Sequence, residues 1–126
     1  MRRFATAALV LGFLPYLLGA GIFLTVTTNP GGQGSKIKGS GIWTLLAGET
    51  FGGSIVFDVT LKGTTPPQHT NANANRGFDG TNMTWDSTLS VVPGTYIKVN
   101  VTLNYLDNQQ RAQKATSTDP NEWAVN

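Results

Sequence analysis

Two stretches of this chain alternate apolar and polar residues with a period of two. Ile55, Phe57, Val59 and Leu61 alternate with Val56, Asp58, Thr60 and Lys62, and Ile97, Val99, Val101, Leu103 and Tyr105 alternate with Lys98, Asn100, Thr102 and Asn104. Successive side chains of a strand point to opposite faces, so each run predicts a β-strand with one face buried and one wet. Downstream of the N-terminal region no window keeps a helical period, and Gly, Pro, Asn and Thr recur between the runs. The expected class is all-β, a small antiparallel β-sandwich.

The two runs belong to an internal echo at an offset of 42 residues. Trp43, Gly52, Ile55, Val59, Thr60 and Leu61 match Trp85, Gly94, Ile97, Val101, Thr102 and Leu103 without a gap, and Asp58 matches Asn100. Repeats of this period also occur in propeller blades, and Trp85-Asp86 supplies a WD dipeptide, but two copies cannot close a propeller. The echo predicts two equivalent strand–turn–strand units, packed face to face with pseudo-symmetry; a chance likeness between two hairpins accounts for it equally well.

At the second unit, Val92-Pro93-Gly94-Thr95-Tyr96 leads into Ile97-Lys98-Val99-Asn100-Val101. Pro93 presets a turn, Gly94 tolerates positive φ, and Tyr96 can pack its ring while its hydroxyl ties the corner. This corner and strand resemble a signature of Ig-like and carboxypeptidase-regulatory-like β-sandwich modules of exported bacterial proteins. The resemblance implies an Ig-like sandwich and a non-catalytic role, and carries over no functional residue. The Cys…Trp…Cys pattern of antibody domains is absent, since the chain has no cysteine.

Upstream, Phe4 to Val26 is a 23-residue stretch without a charge, placed directly after Arg2 and Arg3. As a helix it would reach about 34 Å, enough to cross a hydrocarbon core of about 30 Å. Arg2 and Arg3 would hold the N-terminus in the cytoplasm and send the rest across, giving a single-pass membrane protein with its domain outside. The rival reading is a signal peptide: Pro15 would end its apolar region, and Gly19 and Gly21 stand at the two small-residue positions for a cut after Gly21. The retained anchor is the preferred of the two. The expected division is therefore 1–26 for signal-anchor or signal peptide, 27–35 (TTNPGGQGS) for a linker, and 36–126 for an extracytoplasmic sandwich.

Charge excludes one class of partner. From Thr27 onward seven basic residues face seven acidic ones, so the net charge of +2 belongs to Arg2 and Arg3 and nothing favours nucleic acid. Without cysteine there is no disulfide framework and no thiolate metal site.

The catalytic readings fail on residue types. His69 is the only histidine, in a Gly63–Gly80 segment read as a long polar loop, so it has no second imidazole for zinc or a relay. No GxSxG elbow is present. Asp79-Gly80-Thr81-Asn82-Met83-Thr84-Trp85-Asp86 offers oxygens to calcium but lacks EF-hand spacing. Glu49 and Glu122, the only glutamates, have no feature that would converge them as a glycosidase pair. Gly31-Gly32 and Gly52-Gly53 precede no helix and so cradle no phosphate. No cofactor is expected. Trp43 and Trp85 share the phase of apolar neighbours and are read as core. Trp123, in a polar C-terminal stretch, remains the one candidate for ligand contact, or else anchors a last strand. Asn82-Met83-Thr84 and Asn100-Val101-Thr102 fit the glycosylation sequon.

The function expected is a non-catalytic, membrane-anchored, extracytoplasmic sandwich with a structural or interaction role in the cell envelope, its partner a protein or glycan. The first alternative is a secreted carbohydrate-binding module using exposed aromatics. The second is a pilin-like filament subunit. The chain resembles type IV pilins only in layout: Arg3 precedes Phe4 where a leader would end in Gly or Ala, and Ala8 stands where Glu is wanted.

Overall fold

The computed structural model describes residues 20–126. Ten strands follow one another: β1 Gly21–Ile22, β2 Thr25–Thr28, β3 Lys36–Thr44, β4 Thr50–Leu61, β5 Gln68–Asn73, β6 Asn75–Phe78, β7 Met83–Ser90, β8 Gly94–Leu106, β9 Ala112–Asp119 and β10 Trp123–Val125. They form two antiparallel sheets. The first runs β1-β3-β7-β6, with β2 continuing β1 along β3; the second runs β10-β8-β4-β5, with β9 also on β8. The all-β expectation holds, and the pair of sheets is that of a sandwich.

The alternating runs become β4 and β8, the central strands of the second sheet. Ile55, Phe57 and Val59 of β4 and Val99, Val101 and Leu103 of β8 are all within 1% of full burial. Opposite them, Ile37, Trp43, Trp85 and Leu89 close the core from the first sheet. Burying side chains of this size contributes about 1.5–3 kcal/mol each, which is what holds the two layers together. Trp85 lies against Phe57 with ring centroids 5.8 Å apart. Its indole N–H donates to the Phe23 carbonyl at 2.9 Å.

That last bond corrects the expected boundary. Residues 1–19, with Arg2, Arg3 and Gly19, lie outside the described residues, but the tail of the apolar run does not. Gly21–Ile22 and Thr25–Thr28 are strands, interrupted at Phe23–Leu24 and paired to β3 from Thr44 to Ile37. Ala20, Ile22 and Val26 are buried in the core. An apolar run conceals a strand whose outward residues are half-buried, because no polar alternation marks it. The expected linker 27–35 likewise begins inside β2. It continues as a tight connection with a 3-10 turn at Pro30–Gly32, tied by the Ser35 N–H to the Asn126 carbonyl at 2.6 Å. Among the described residues no helix is long and apolar enough to cross a membrane.

Most of the segment read as a polar loop is also strand. β5 pairs with β4 from Val56↔Asn73 to Leu61↔Gln68, and β6 pairs with β7 from Asn75↔Asp86 to Phe78↔Met83. The chain changes sheets at Ala74, whose N–H donates to the Ile55 carbonyl at 2.7 Å. Both are edge strands with mostly exposed side chains, so they carry no apolar alternation to betray them.

The 42-residue echo has a structural counterpart. Each unit places one strand in each sheet, β3 and β4 for the first and β7 and β8 for the second, so the units interlock rather than face each other as separate hairpins. In the β3–β7 ladder Ile42 pairs with Thr84; in the β4–β8 ladder Asp58 pairs with Asn100. In both, a residue meets the one 42 positions on, as two-fold related units require. A bulge breaks the likeness beyond this point. Thr60 pairs with Ile97, leaving Lys98 and Val99 opposite Val59, and Lys98 has a φ of 52°. The phase shift turns Tyr96 into the core and leaves Ile97 half-buried. As expected of the corner, the Tyr96 hydroxyl donates to the Val92 carbonyl at 2.6 Å.

Candidate binding face

The outward side of the second sheet is a flat polar surface centred on Asp58. The ladder aligns Asn71, Asp58, Asn100 and Thr118 in one row across four strands, and Asn73, Val56, Thr102 and Thr116 in the next. Asp58 Oδ1 accepts from the Asn71 amide at 3.2 Å, and Oδ2 from the Asn100 amide at 3.5 Å. His69 Nδ1 lies 3.3 Å from Asp58 Oδ2 and 3.0 Å from Thr60 Oγ1. The Asn100 amide also donates to the Lys98 carbonyl at 2.8 Å, so the bulge positions it. Thr102 and Thr116 hydroxyls pair at 3.1 Å.

Asp, His and Thr in contact invite comparison with a nucleophilic triad, and the geometry rules that out. A relay needs the carboxylate on one ring nitrogen and the hydroxyl on the other. Here both meet Nδ1, and Thr60 is 4% exposed, out of reach of a substrate. The cluster can hold a ligand's polar groups, not activate an attack. Sequence reasoning placed Asp58 on a wet face and matched it to Asn100 in the echo, but gave neither their pairing nor His69 as a neighbour, because β5 was unrecognised.

The other sequence candidates disperse. Asp79 Oδ1 accepts from the backbone N–H groups of Thr81 and Asn82 at 2.8 and 2.7 Å, which hold its carboxyl below the usual range. Asp86 instead meets the Asn75 amide at 3.3 Å, so the calcium-like oxygens do not converge. Among the described residues no group of three or more His, Cys, Asp and Glu could hold a metal. Glu49 caps the Leu46 N–H at 2.7 Å before β4, whereas Glu122 pairs with Lys62 just after its far end. Trp43 and Trp85, 4% and 1% exposed, are core. Trp123 is half-buried on β10 and donates to Asp119 Oδ1 at 3.1 Å. Gly21, the proposed cleavage position, lies in β1 opposite Thr44. Among the described residues the strongly exposed aromatic is Phe78, at the end of β6. A groove of about 400 Å³ opens at the far end of the sandwich, between Gln68 and Thr70 on one side and Ser90 and Val91 on the other, over Leu61 and Tyr96.

Asp107 is the most strongly perturbed acid, and its role is local. Backbone N–H groups of Arg111 and Gln109 donate to Oδ1 at 2.9 Å, and Arg111 Nε and Gln113 Nε2 donate to Oδ2 at 3.0 Å. The Arg111 backbone bond leads in lowering its pKa from 3.8 to about 2. A depressed carboxyl contributes stability above its unfolded pKa and loses it as pH falls through the folded one. Protection of the amides in the β8–β9 turn, taken relative to their intrinsic exchange rates, should therefore fall between pH about 4 and about 2. Asp107→Asn should remove that step; an unchanged acid profile in the variant would refute the assignment.

No family model, curated protein or solved structure matches this chain.

Proposed function

We propose that this chain is a non-catalytic extracytoplasmic β-sandwich with a structural or interaction role in the cell envelope, delivered there by its N-terminal apolar segment. The observation that carries the reading is the direct succession of Arg2-Arg3, an uncharged run and a sandwich whose first strand starts at Gly21. The polar row around Asp58 supports a contact role: its amides, hydroxyls and imidazole suit hydrogen bonding to a protein or glycan surface. An Ig-like relationship fits the Tyr96 corner. The burial of Trp43 and Trp85 weighs against the carbohydrate alternative, which counted on them as its platform.

One observation favours the secreted form over the anchor. With Ala20 onward committed to the sandwich, the apolar run left for a helix is Phe4–Gly19, about 24 Å at 1.5 Å per residue. That is short of a span and suits a signal peptide's apolar region. A cut after Gly21 would trim Ala20 and Gly21 from the edge of the sandwich and leave Ile22 to begin the mature chain.

Expression of the full chain in a bacterium, fractionation and intact-mass measurement test this. A soluble exported species starting near Ile22 is expected. A full-length, alkali-resistant membrane species would favour the anchor, and a full-length cytosolic protein would overturn export altogether.

A further inference from the structure

The N-terminal strand is seated in a way that allows it to be traded between molecules. β1 and β2 form a terminal edge of the first sheet and pair with β3 alone. Yet they supply Ala20, Ile22 and Val26 to the core and the carbonyl that receives the Trp85 indole. Removing them would bare both an apolar slot and the open edge of β3, which is a template for an identical strand.

The connection behind them is bent sharply and held only at its ends. Of the seven residues Asn29–Ser35, four have left-handed backbone: Asn29 at φ 48°, Gly31 at 64°, Gly32 at 80° and Ser35 at 59°. Asn29 is a residue that tolerates this region, whereas Ser35, at the other end of the turn, carries a side chain that disfavours it. Asn-Pro-Gly-Gly-Gln-Gly-Ser has no large apolar side chain to bury, and no residue in it is buried. The turn is closed by the Asn29 N–H to the Lys36 carbonyl at 2.9 Å and held at its ends by the Ser35 N–H to the Asn126 carbonyl at 2.6 Å, the Val91 N–H to the Ser35 carbonyl at 3.0 Å and the Asn126 N–H to Asn29 Oδ1 at 3.3 Å.

We propose that Gly21–Thr28 is an exchange strand, and that its alternative partner is β3 of a second copy of this chain. Straightening Asn29–Ser35 lets Ser35 leave the left-handed region. Every contact the strand makes at home is offered again by an identical slot, so opening costs only the turn and the loss of independent motion. One-way exchange builds an open chain of molecules, and reciprocal exchange a closed dimer. The inference does not depend on where the protein resides.

The absence of cysteine makes a direct trap available. Thr27 and Lys38 are ladder partners on β2 and β3. Thr27→Cys and Lys38→Cys variants of the full chain, distinguished by mass, would be mixed at high concentration, cycled through denaturant and oxidised. Exchange places the thiol introduced on β2 of one molecule beside the thiol introduced on β3 of another, so the ratio of mixed bonds to either like-with-like bond should exceed the random 2:1 at least several-fold. In parallel, light scattering should show the unsubstituted chain associating with concentration, and the double variant, oxidised within one chain beforehand, remaining monomeric. Mixed bonds at the random ratio, or association that survives the intrachain lock, would overturn the proposal.

Discussion

Trp85→Ala should remove most of the stability of this domain. The indole is 1% exposed, packs on Phe57 and donates to the Phe23 carbonyl at 2.9 Å. Deleting a buried tryptophan costs about 3–5 kcal/mol through lost transfer energy and the cavity left behind. Leaving the Phe23 carbonyl without its donor adds about 1 kcal/mol. Against a total of about 5–15 kcal/mol for a domain of this kind, the variant should be marginal at room temperature. Urea titration is the measurement: the midpoint should fall by about 2 M, with the slope unchanged. Trp85→Phe keeps much of the ring volume and loses the donor, so it should recover more than half of the loss. A midpoint shift below about 0.5 M for Trp85→Ala would mean that the two sheets do not depend on this contact.

The importance of Trp85 could be read from the sequence, and its partner could not. Its place in the 42-residue echo and its phase with Leu89 both marked it as core. The same alternation marked β4 and the greater part of β8, and the Pro93-Gly94 turn residues marked the corner at Tyr96. In each case one face is buried and the other wet, so burial writes itself into the sequence with period two. Three features escaped for distinct physical reasons. β1 and β2 are hidden because Ile22, Phe23, Leu24 and Val26 are apolar on both sides of the strand, and a run of that kind reads equally well as a membrane segment. β5 and β6 are hidden because an edge strand with exposed side chains needs no apolar face; its backbone bonds to β4 and β7 suffice. The phase of Tyr96 and Ile97 is hidden because a single extra residue at Lys98 inverts it. The candidate face suffers from the second of these. Asp58 and Asn100 were legible as equivalent positions on wet faces, but their pairing comes from the register of β4 on β8, and Asn71 and His69 reach them only through β5.

Gly41→Ala should be the second most damaging change, although it adds one methyl group. Gly41 faces Trp85 across the β3–β7 ladder, and a Cβ there would collide with the Phe23 carbonyl oxygen and lie 3.1 Å from Trp85 Nε1. Neither obstacle can step aside cheaply. The carbonyl belongs to the break between β1 and β2, and the indole is fixed between that carbonyl and Phe57. The neighbouring inward position obeys the same constraint: a Cβ on Gly39 would come within 2.6 Å of the Phe57 ring and 2.8 Å of Trp85. β3 carries two glycines because the large rings of the opposing strands occupy the volume their side chains would need. Overpacking of this kind costs about 1–3 kcal/mol. Displacing Phe23 also breaks the indole bond, for about 1 kcal/mol more. The loss should be uneven. Amide exchange should rise first over Ile22–Thr28, where the strand is pushed off β3, while the centres of β4 and β8 keep their protection. Thr88→Ala, on the exposed side of β7, should stay within about 0.5 kcal/mol of the parent. If Gly41→Ala behaves like Thr88→Ala, the N-terminal strand is not held where Phe23 meets the core, and its seating must be assigned elsewhere.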